Sequence, residues 1–360
     1  MFRNSIILII LAFTLALSSC RGIKMHGEKI QGKPSSQVWF PEDRFEIDSV
    51  ASLVVPESGT FRILVLGDIQ LDGNPFRTRK AFKQITALVD SAQPDFIFTL
   101  GDNSEWNYSD KMAKKLVKFL DGFNIPWAVV LGNHDSEGRR FRPWFGNMYE
   151  SGKHSLFKYG PSNIHGVGNY PVVLEDKNGN IIYAFIFMDS NVHRQYEDGV
   201  GYDFIHRDQM EWYKWNIKGI SEAQYGSYDP ASGKVVPSFT IFHIPLLEFG
   251  EAIKAYQEGK IDSSLVMGEA REAVASSRIN SGFFNLMKEM KSTTHVFNGH
   301  DHVNNISIPW QGIRMTYGLK SAPTSYFAKD MQGGLLITIR EKGKGQKPEV
   351  NLKYIFLNRK

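Results

Sequence analysis

Cysteine is almost absent from this chain, because Cys20 is the only one in 360 residues. A single cysteine excludes an intramolecular disulfide, so the fold must be stabilised by its hydrophobic core. Neither a GxSxG nucleophile motif nor a GxxxxGK[ST] phosphate-binding loop occurs in the sequence. The sequence therefore indicates neither covalent catalysis through a serine or cysteine nucleophile nor a P-loop nucleotide-binding protein.

Concentrated charge of one sign is also lacking. The formal net charge is +4, with 42% hydrophobic and 22% charged residues, which is typical of an ordinary globular protein. The only tight basic cluster is the segment 342–347, KGKGQK, and its glycines favour a solvated hairpin turn. We therefore expect no nucleic-acid partner.

The N-terminal segment has the pattern of a secretory signal. Arg3 precedes an apolar run from Ile6 to Leu17, and small residues lead into Cys20. The run is shorter than the roughly 18 to 20 residues that a membrane-spanning helix needs. An ordinary secreted protein with a cysteine near its cleavage site is the alternative, but Cys20 is the only cysteine of the chain.

The stretch Leu17-Ser18-Ser19-Cys20 resembles the lipobox of bacterial lipoprotein precursors. The resemblance implies that residues 1–19 are a signal peptide and that Cys20 becomes the lipidated first residue. Residues 20–56 are then predicted to be a lipid-anchored tether and an irregular entry segment that lead into one domain over 57–360. We expect a monomer anchored in the cell envelope, outside the cytoplasm, on the periplasmic or surface face of a bacterial membrane.

After the tether, apolar runs alternate with helical patterns. The predicted strands cover 61–66, 95–100 and 126–131, and the helices between them cover 77–92 and 109–122. This alternation indicates βαβαβ units with a parallel sheet. A hairpin over 170–189 with an Asn178-Gly179 turn, and further strands and helices to the C-terminus, make the second half mixed. The sequence thus predicts an α/β fold of mixed α+β character.

Polar residues follow five of the predicted strands. The residues are Gly67-Asp68-Ile69-Gln70, Gly101-Asp102-Asn103, Gly132-Asn133-His134-Asp135, His243 and Gly299-His300-Asp301-His302. In open α/β sheets, ligands bind beyond the carboxyl ends of the strands. Each motif alone is usually a turn or a structural histidine, but together they supply the oxygen and imidazole ligands that hard cations require. A two-metal centre with a bridging carboxylate explains the set.

The ordered set GDxx, GDN, GNHD, a separate histidine and GHDH resembles the calcineurin-like metallophosphoesterase superfamily. Nearby stretches, among them GVGNYPVVL (166–174) and FHIP (242–245), resemble its purple-acid-phosphatase-like branch, so the resemblance covers about residues 60–330. It implies two central mixed β-sheets flanked by helices, in a four-layer αββα sandwich. It also implies two divalent or trivalent metal ions, Fe, Mn or Zn.

The resemblance assigns roles to individual positions. Asp68 and His302 would hold the first metal, Asp102 would bridge, and Asn133, His243 and His300 would hold the second. His134 would stabilise phosphate charge or protonate the leaving oxygen, with Asp135 placed to orient its ring. The competing interpretation of Asp135 is a helix N-cap before EGRRFRPWF.

Gln70 departs from the family pattern, which usually has histidine at this position. An amide oxygen is a weaker donor than imidazole, so we expect a first metal position that is more labile or prefers a harder ion. Alternatively, Gln70 faces water and ligates nothing.

The implied function is hydrolysis of a small phosphate ester by a hydroxide that bridges the two metals. A phosphodiesterase or nucleotidase would use the same centre, and a surface binding protein that kept the fold but lost catalysis is the competing class. Trp106 and Tyr108, just beyond Asp102, and Tyr326 in the segment SAPTSYF are candidates to stack on the substrate, although such residues are more often packing residues.

Overall fold

The structure is a computed structural model that describes residues 38–342 and 346–357. The predicted signal peptide and the lipidation site Cys20 lie outside the described residues, as does part of the basic segment 342–347. Among the described residues, no helix is long and apolar enough to cross a lipid bilayer.

The fold is mixed α/β, as predicted. The strands in chain order are β1 (Ala51–Val54), β2 (Thr60–Leu66), β3 (Phe96–Thr99), β4 (Trp127–Val129), β5 (Tyr170–Glu175), β6 (Ile181–Phe187), β7 (His193–Tyr196), β8 (Gly199–Tyr202), β9 (Ser238–Ile241), β10 (Thr293–Asn298), β11 (Ser307–Trp310), β12 (Ile313–Tyr317), β13 (Gly333–Arg340) and β14 (Glu349–Phe356). The helices are α1 (Pro75–Ala92), α2 (Ser109–Asp121), α3 (Arg142–Glu150), α4 (Arg207–Tyr225), α5 (Leu247–Gln257) and α6 (Phe283–Met290). The predicted strands and helices of the first half are all present, within a few residues of the expected bounds.

Two mixed sheets form the centre of the described part of the chain. One has five strands in the order β14-β13-β2-β3-β4, and the other has seven in the order β1-β5-β6-β9-β10-β12-β11. In the first, β2, β3 and β4 are parallel; in the second, β6, β9, β10 and β12 are parallel. The predicted Asn178-Gly179 hairpin is the antiparallel pair β5 and β6.

The sheets pack face to face through aromatic side chains. The ring centroids of Phe96 and Phe185 lie 6.0 Å apart, and those of Phe98 and Phe187 lie 5.7 Å apart. Apolar residues of α1 and α2 join this inner core, whereas α4, α5 and α6 cover the opposite face of the seven-stranded sheet with a second core. The result is the predicted sandwich of two sheets flanked by helices.

The sheet begins earlier than the sequence predicts. Strand β1 lies inside the segment 20–56, which we expected to be a tether and an irregular entry segment, and it pairs in parallel with β5 from Ala51 to Val54. The short run SLVV was missed because β1 is only four residues long and precedes a Pro-containing turn. The boundary at residue 57 is thereby corrected, because residues 51–54 belong to the folded unit.

Candidate metal centre

The polar residues that follow five strands meet at one place between the two sheets. Two overlapping groups of side chains have ligand atoms that all lie within 4.8 Å of one another: Asp68, Asp102 and His302 form one, and Asp102, His243 and His300 form the other. Every member is buried. Asp102 belongs to both groups, which is the position expected of a bridging carboxylate.

Asn133 completes the second group. Its Oδ1 lies 3.2 Å from Nε2 of His243, and the same nitrogen lies 3.2 Å from Oδ2 of Asp102. Nδ1 of His300 also approaches this nitrogen to 3.2 Å. The structure therefore brings together six of the predicted metal-ligating residues, Asp68, Asp102, Asn133, His243, His300 and His302.

Glycines before the donors permit this close approach. A Cβ at Gly132 would come within 2.0 Å of Oδ1 of Asp102, and one at Gly101 would meet the His243 ring at 2.6 Å. The donors themselves adopt the sparsely populated left-handed region, with φ of 46° at Asp68, 47° at Asp102 and 80° at His300. Such strain collects where the surrounding structure holds a residue for function.

Backbone contacts fix the orientation of two imidazoles. Nδ1 of His243 lies 2.7 Å from the carbonyl oxygen of Leu100, and Nδ1 of His302 lies 3.0 Å from that of Tyr326. A carbonyl only accepts, so each Nδ1 carries the proton and each Nε2 faces the centre. This is the arrangement by which outer partners orient metal-ligating histidines.

The charges at the centre are strongly coupled. Burial acts to raise the pKa of Asp102, but the ion pair with His243 outweighs it and holds that pKa below its usual range. Burial raises the pKa of Asp68 to about 6. Burial would lower the pKa of His243, but Asp102 raises it to about 9, whereas burial lowers the pKa of His300 to about 3.

The donor set fits metal cations. Oδ2 of Asp102 is buried and accepts no hydrogen bond, although three imidazole nitrogens and an amide oxygen surround the two carboxylates. Nδ1 of His300 and Nε2 of His243 face each other at 3.2 Å, so either one of the two nitrogens carries a proton or both bind a metal ion. Oxygen and imidazole ligands suit Zn, Mn and Fe.

His134 lies at the edge of this cluster and is partly exposed. Its backbone N–H donates to Oδ1 of Asp102 at 2.8 Å, and its ring Nε2 lies 3.9 Å from Oδ2 of the same residue. Its Nδ1 contacts Oε1 of Glu137 at 2.6 Å. Burial acts to lower the pKa of His134, but Asp102 and Glu137 together raise it.

The prediction that Asp135 orients the His134 ring is wrong. The Asp135 carboxylate points into the fold, where it accepts hydrogen bonds from the backbone N–H groups of Asn103, Ser104 and Gly132 at 2.9 to 3.0 Å. It is not a helix cap either, because α3 begins at Arg142. Asp135 ties the turn after β3 to the turn after β4, and Glu137 is the residue that contacts the ring.

Gln70 is buried, and its amide oxygen is bound to a lysine. Nζ of Lys320 donates to Oε1 of Gln70 at 2.5 Å and to the backbone oxygen of Asp68 at 2.8 Å. The atom that would ligate a metal is therefore already bound to an ammonium group. Ligation by Gln70 therefore stays a prediction, and it competes with the hydrogen bond from Lys320 for this oxygen.

The candidate stacking residues differ in their placement. Tyr326 stacks on the His302 ring at 4.1 Å and is half exposed, and Trp106 is 62% exposed and donates its backbone N–H to Glu137. Tyr108 packs against Gly73, where a Cβ would come within 2.8 Å of its ring. Trp106 and Tyr326 are thus linked to the centre through His134 and His302, whereas Tyr108 packs on the loop before α1.

Sequence reasoning missed three residues that support the centre. Glu137 and Lys320 are described above, and the third is Arg142, which pairs with Asp189 and donates to the backbone oxygens of Leu131 and Gly132. Arg142 thereby anchors the turn that carries Asn133 and His134. The only sequence signal was the position of Glu137 three residues after His134, because Lys320 and Asp189 lie in no motif.

The model of the calcineurin-like phosphoesterase family matches residues 61–304, more than half of the chain. The matched segment contains all six donors, Glu137 and Arg142, and it excludes Lys320 and Tyr326.

Several curated proteins are similar in sequence. "Probable inactive purple acid phosphatase 14" of Arabidopsis thaliana is 29% identical over 245 residues, which cover 64% of this chain and 59% of that protein. "Probable inactive purple acid phosphatase 28" of the same plant is 26% identical and covers 73% and 70%. "Phosphatase DCR2" of Saccharomyces cerevisiae is 26% identical and covers 69% and 45%. The chain spans about six-tenths of the length of the first of these relatives.

Among solved structures, a dimetal phosphatase from Danio rerio has a similar fold. The TM-score is 0.50 at 12% sequence identity, over 82% of this chain and 95% of that protein. At this identity the similarity concerns the fold.

Proposed function

Because the chain belongs to the calcineurin-like phosphoesterase family, we propose that it is a hydrolase that cleaves phosphate esters at a centre of two metal ions. The observation that carries this proposal is the pair of overlapping donor groups that share Asp102. A purely structural cluster has no reason to bury two carboxylates, three imidazoles and an amide with their donor atoms facing one another.

The donor groups define two proposed metal positions. The first position comprises Asp68, Asp102 and His302, and the second comprises Asp102, Asn133, His243 and His300. When bound, two such cations neutralise phosphate oxygens and lower the pKa of a coordinated water, which supplies a nucleophile without a covalent enzyme intermediate. Fe, Mn and Zn all suit these ligands.

His134 supplies the proton in this scheme. Its Nδ1 is bound to Glu137, so Nε2 is the atom turned toward Asp102. A phosphate bound at the centre would lie within reach of this nitrogen. A protonated Nε2 donates to a phosphate oxygen or to the leaving oxygen, and Glu137 keeps the ring charged and oriented. Loss of the proton from Nε2 leaves the departing alkoxide without a donor.

The substrate class is a small phosphate ester. Trp106, whose backbone binds Glu137, and Tyr326, which stacks on His302, supply exposed aromatic surface on which a sugar or base attached to the phosphate would stack. Phosphodiesters and nucleotides are the second candidates, because they would use the same donors and the same aromatic surface.

The competing function is a binding protein of the same fold without catalysis. Two similar plant proteins carry names that begin "Probable inactive", and the engagement of Gln70 by Lys320 is a departure from the family pattern in this chain. Retention of all six donors in one buried cluster favours the hydrolase.

The test is turnover by protein of known metal content. The protein is stripped with a chelator, reloaded with Mn²⁺, Zn²⁺ or Fe²⁺, and assayed with p-nitrophenyl phosphate, bis-p-nitrophenyl phosphate and nucleotides in parallel. We expect hydrolysis that is lost on stripping and restored on reloading, with the monoester cleaved fastest. Protein that carries two metals per chain and hydrolyses none of these substrates would instead support the binding protein.

We further propose that the mature protein is a monomer tethered to a bacterial membrane by a lipid on Cys20. The support is the N-terminal sequence pattern. Partition of the full-length protein into the detergent phase, and its loss in a Cys20→Ser variant, is the expected result. A Cys20→Ser variant that is processed and partitions like the original would contradict it.

A further inference from the structure

Lys320 is a buried cation placed against the proposed first metal position. It is 2% exposed, and its ammonium donates to Gln70 and to the backbone of Asp68. A buried lysine needs compensation, because transferring an ammonium out of water is costly. The charged groups that face it are the carboxylates of Asp68, Glu105 and Asp102, two of which are proposed metal ligands.

The backbone holds this lysine in place. The N–H of Ser321 donates to the oxygen of Gly67 at 2.8 Å, and the N–H of Gly67 donates back to Oγ of Ser321 at 3.1 Å. Oγ1 of Thr324 donates to the oxygen of Ile69 at 2.7 Å. The backbone of the segment that carries Lys320 is therefore fixed against the turn that carries Asp68.

Among the described residues, no lysine or arginine is hydrogen-bonded to a side chain of the second position, and His134, 3.9 Å from Asp102, is partly exposed to solvent. His243 contacts the oxygen of Leu100, and His300 contacts the edge of the Tyr202 ring at 4.4 Å. Four side chains offer donors there, whereas the first position has three donors and a Gln70 amide oxygen that is bound to Lys320.

We propose that Lys320 makes the two positions unequal, so that the centre holds one divalent cation tightly and a second, exchangeable one weakly. Lys320 acts in two ways: it occupies the amide oxygen that would have been an additional ligand, and it places a fixed positive charge beside Asp68. Both effects lower the affinity of the first position, since like charges repel strongly in a buried setting. This inference rests on the proposed metal centre and adds to it a residue outside the family motifs.

The test is equilibrium dialysis against Mn²⁺ over a wide range of free concentration, on the wild-type protein and on Lys320→Met. The wild type should bind two ions in two separate steps. In Lys320→Met the weaker step should tighten by about tenfold or more, with the tighter step unchanged. Lys83→Met, an exposed lysine on α1, is the matched control and should bind as the wild type does.

Mn²⁺ binding by Gln70→Ala tests the same inference without removal of the buried lysine. If Lys320 holds the amide away from the metal, this variant should bind both ions within about twofold of the wild type. A tenfold weaker first step in Gln70→Ala would show that Gln70 is a ligand, and it would overturn the inference.

The outcomes separate this inference from the proposed function. Identical isotherms for the wild type and a folded Lys320→Met would overturn the role of Lys320 and leave the two-metal hydrolase intact. Absence of saturable binding in every protein would overturn both. Melting curves by circular dichroism establish that each variant is folded before it is dialysed.

Discussion

The two metal positions share Asp102 but differ in everything else that surrounds them. At the second position, Asn133, His243 and His300 approach one another to 3.2 Å. At the first, His302 lies 3.7 Å from Asp68, and a buried lysine binds the amide that would have completed the ligand set. This difference in donors and in neighbouring charge is the basis for the inferred difference in metal affinity between the two positions.

The largest expected effect comes from the residue that the two positions share. Asp102→Asn removes the charge that both cations need, so kcat for p-nitrophenyl phosphate should fall by about a thousandfold or more. The measurement is steady-state kinetics on metal-reloaded protein, with Asp90→Asn on the exposed face of α1 as the control. Activity within tenfold of the wild type would exclude a bridging role.

Single-ligand variants separate the two positions. His243→Asn should abolish the tight step of Mn²⁺ binding, a loss of about a hundredfold or more, whereas His302→Asn should remove only the weak step. Equilibrium dialysis measures both. If both variants lose the same binding step, the two histidines do not belong to separate metal positions, and the inferred difference in affinity is wrong.

His134 and Glu137 test the proton donor beside the centre. His134→Asn should lower kcat by roughly a hundredfold to ten-thousandfold, the usual contribution of a positioned acid. Glu137→Gln should lower it less, and it should also move the alkaline limb of the kcat profile to lower pH. The sign follows because the Glu137 carboxylate raises the pKa of His134, so its removal lets His134 lose its proton sooner.

Asp135→Asn is the control for the variants of His134 and Glu137. Because Asp135 binds backbone N–H groups rather than the His134 ring, its replacement should lower the free energy of unfolding by about 1 to 3 kcal/mol and leave the alkaline limb in place. Chemical denaturation and the same pH profile give both readings. A shifted limb with unchanged stability would restore the orienting role that the sequence suggested for Asp135.

The smallest expected effect concerns the exposed aromatic residues. Trp106→Ala and Tyr326→Ala should raise KM for an aromatic phosphate ester by about twofold to tenfold, with kcat changed little. Tyr225→Ala, at the end of α4 on the outer side of the seven-stranded sheet, should have no effect. Unchanged KM in both variants would limit these side chains to packing roles.

The sequence predicted the parts of the centre that follow directly from strand ends. Asp68, Asp102, Asn133 and His300 could be found because each follows an apolar run and a glycine, and parallel strands bring such residues together. Lys320 could not be found in this way, because it stands 250 residues from Gln70 in a loop without a motif.

Asp135 shows a second limit of sequence reasoning. Its neighbour in the chain is His134, yet its side chain turns to the opposite side and satisfies backbone groups of another turn. Adjacency in sequence does not give side-chain direction within an irregular turn, where no helical or strand periodicity applies. Glu137 reaches the His134 ring because residues 134–137 form a turn. The backbone N–H of Glu137 donates to the backbone oxygen of His134 in this turn.

The most direct test of the two-metal centre is a crystal soaked in Mn²⁺ and measured for anomalous scattering. We expect two peaks on either side of the Asp102 carboxylate, about 3.5 to 4 Å apart, with the peak beside Asn133, His243 and His300 more fully occupied at low Mn²⁺ concentration. A map with no peak at Asp102, or with a single peak that does not contact it at saturating Mn²⁺, would show that these donors do not form a two-metal centre.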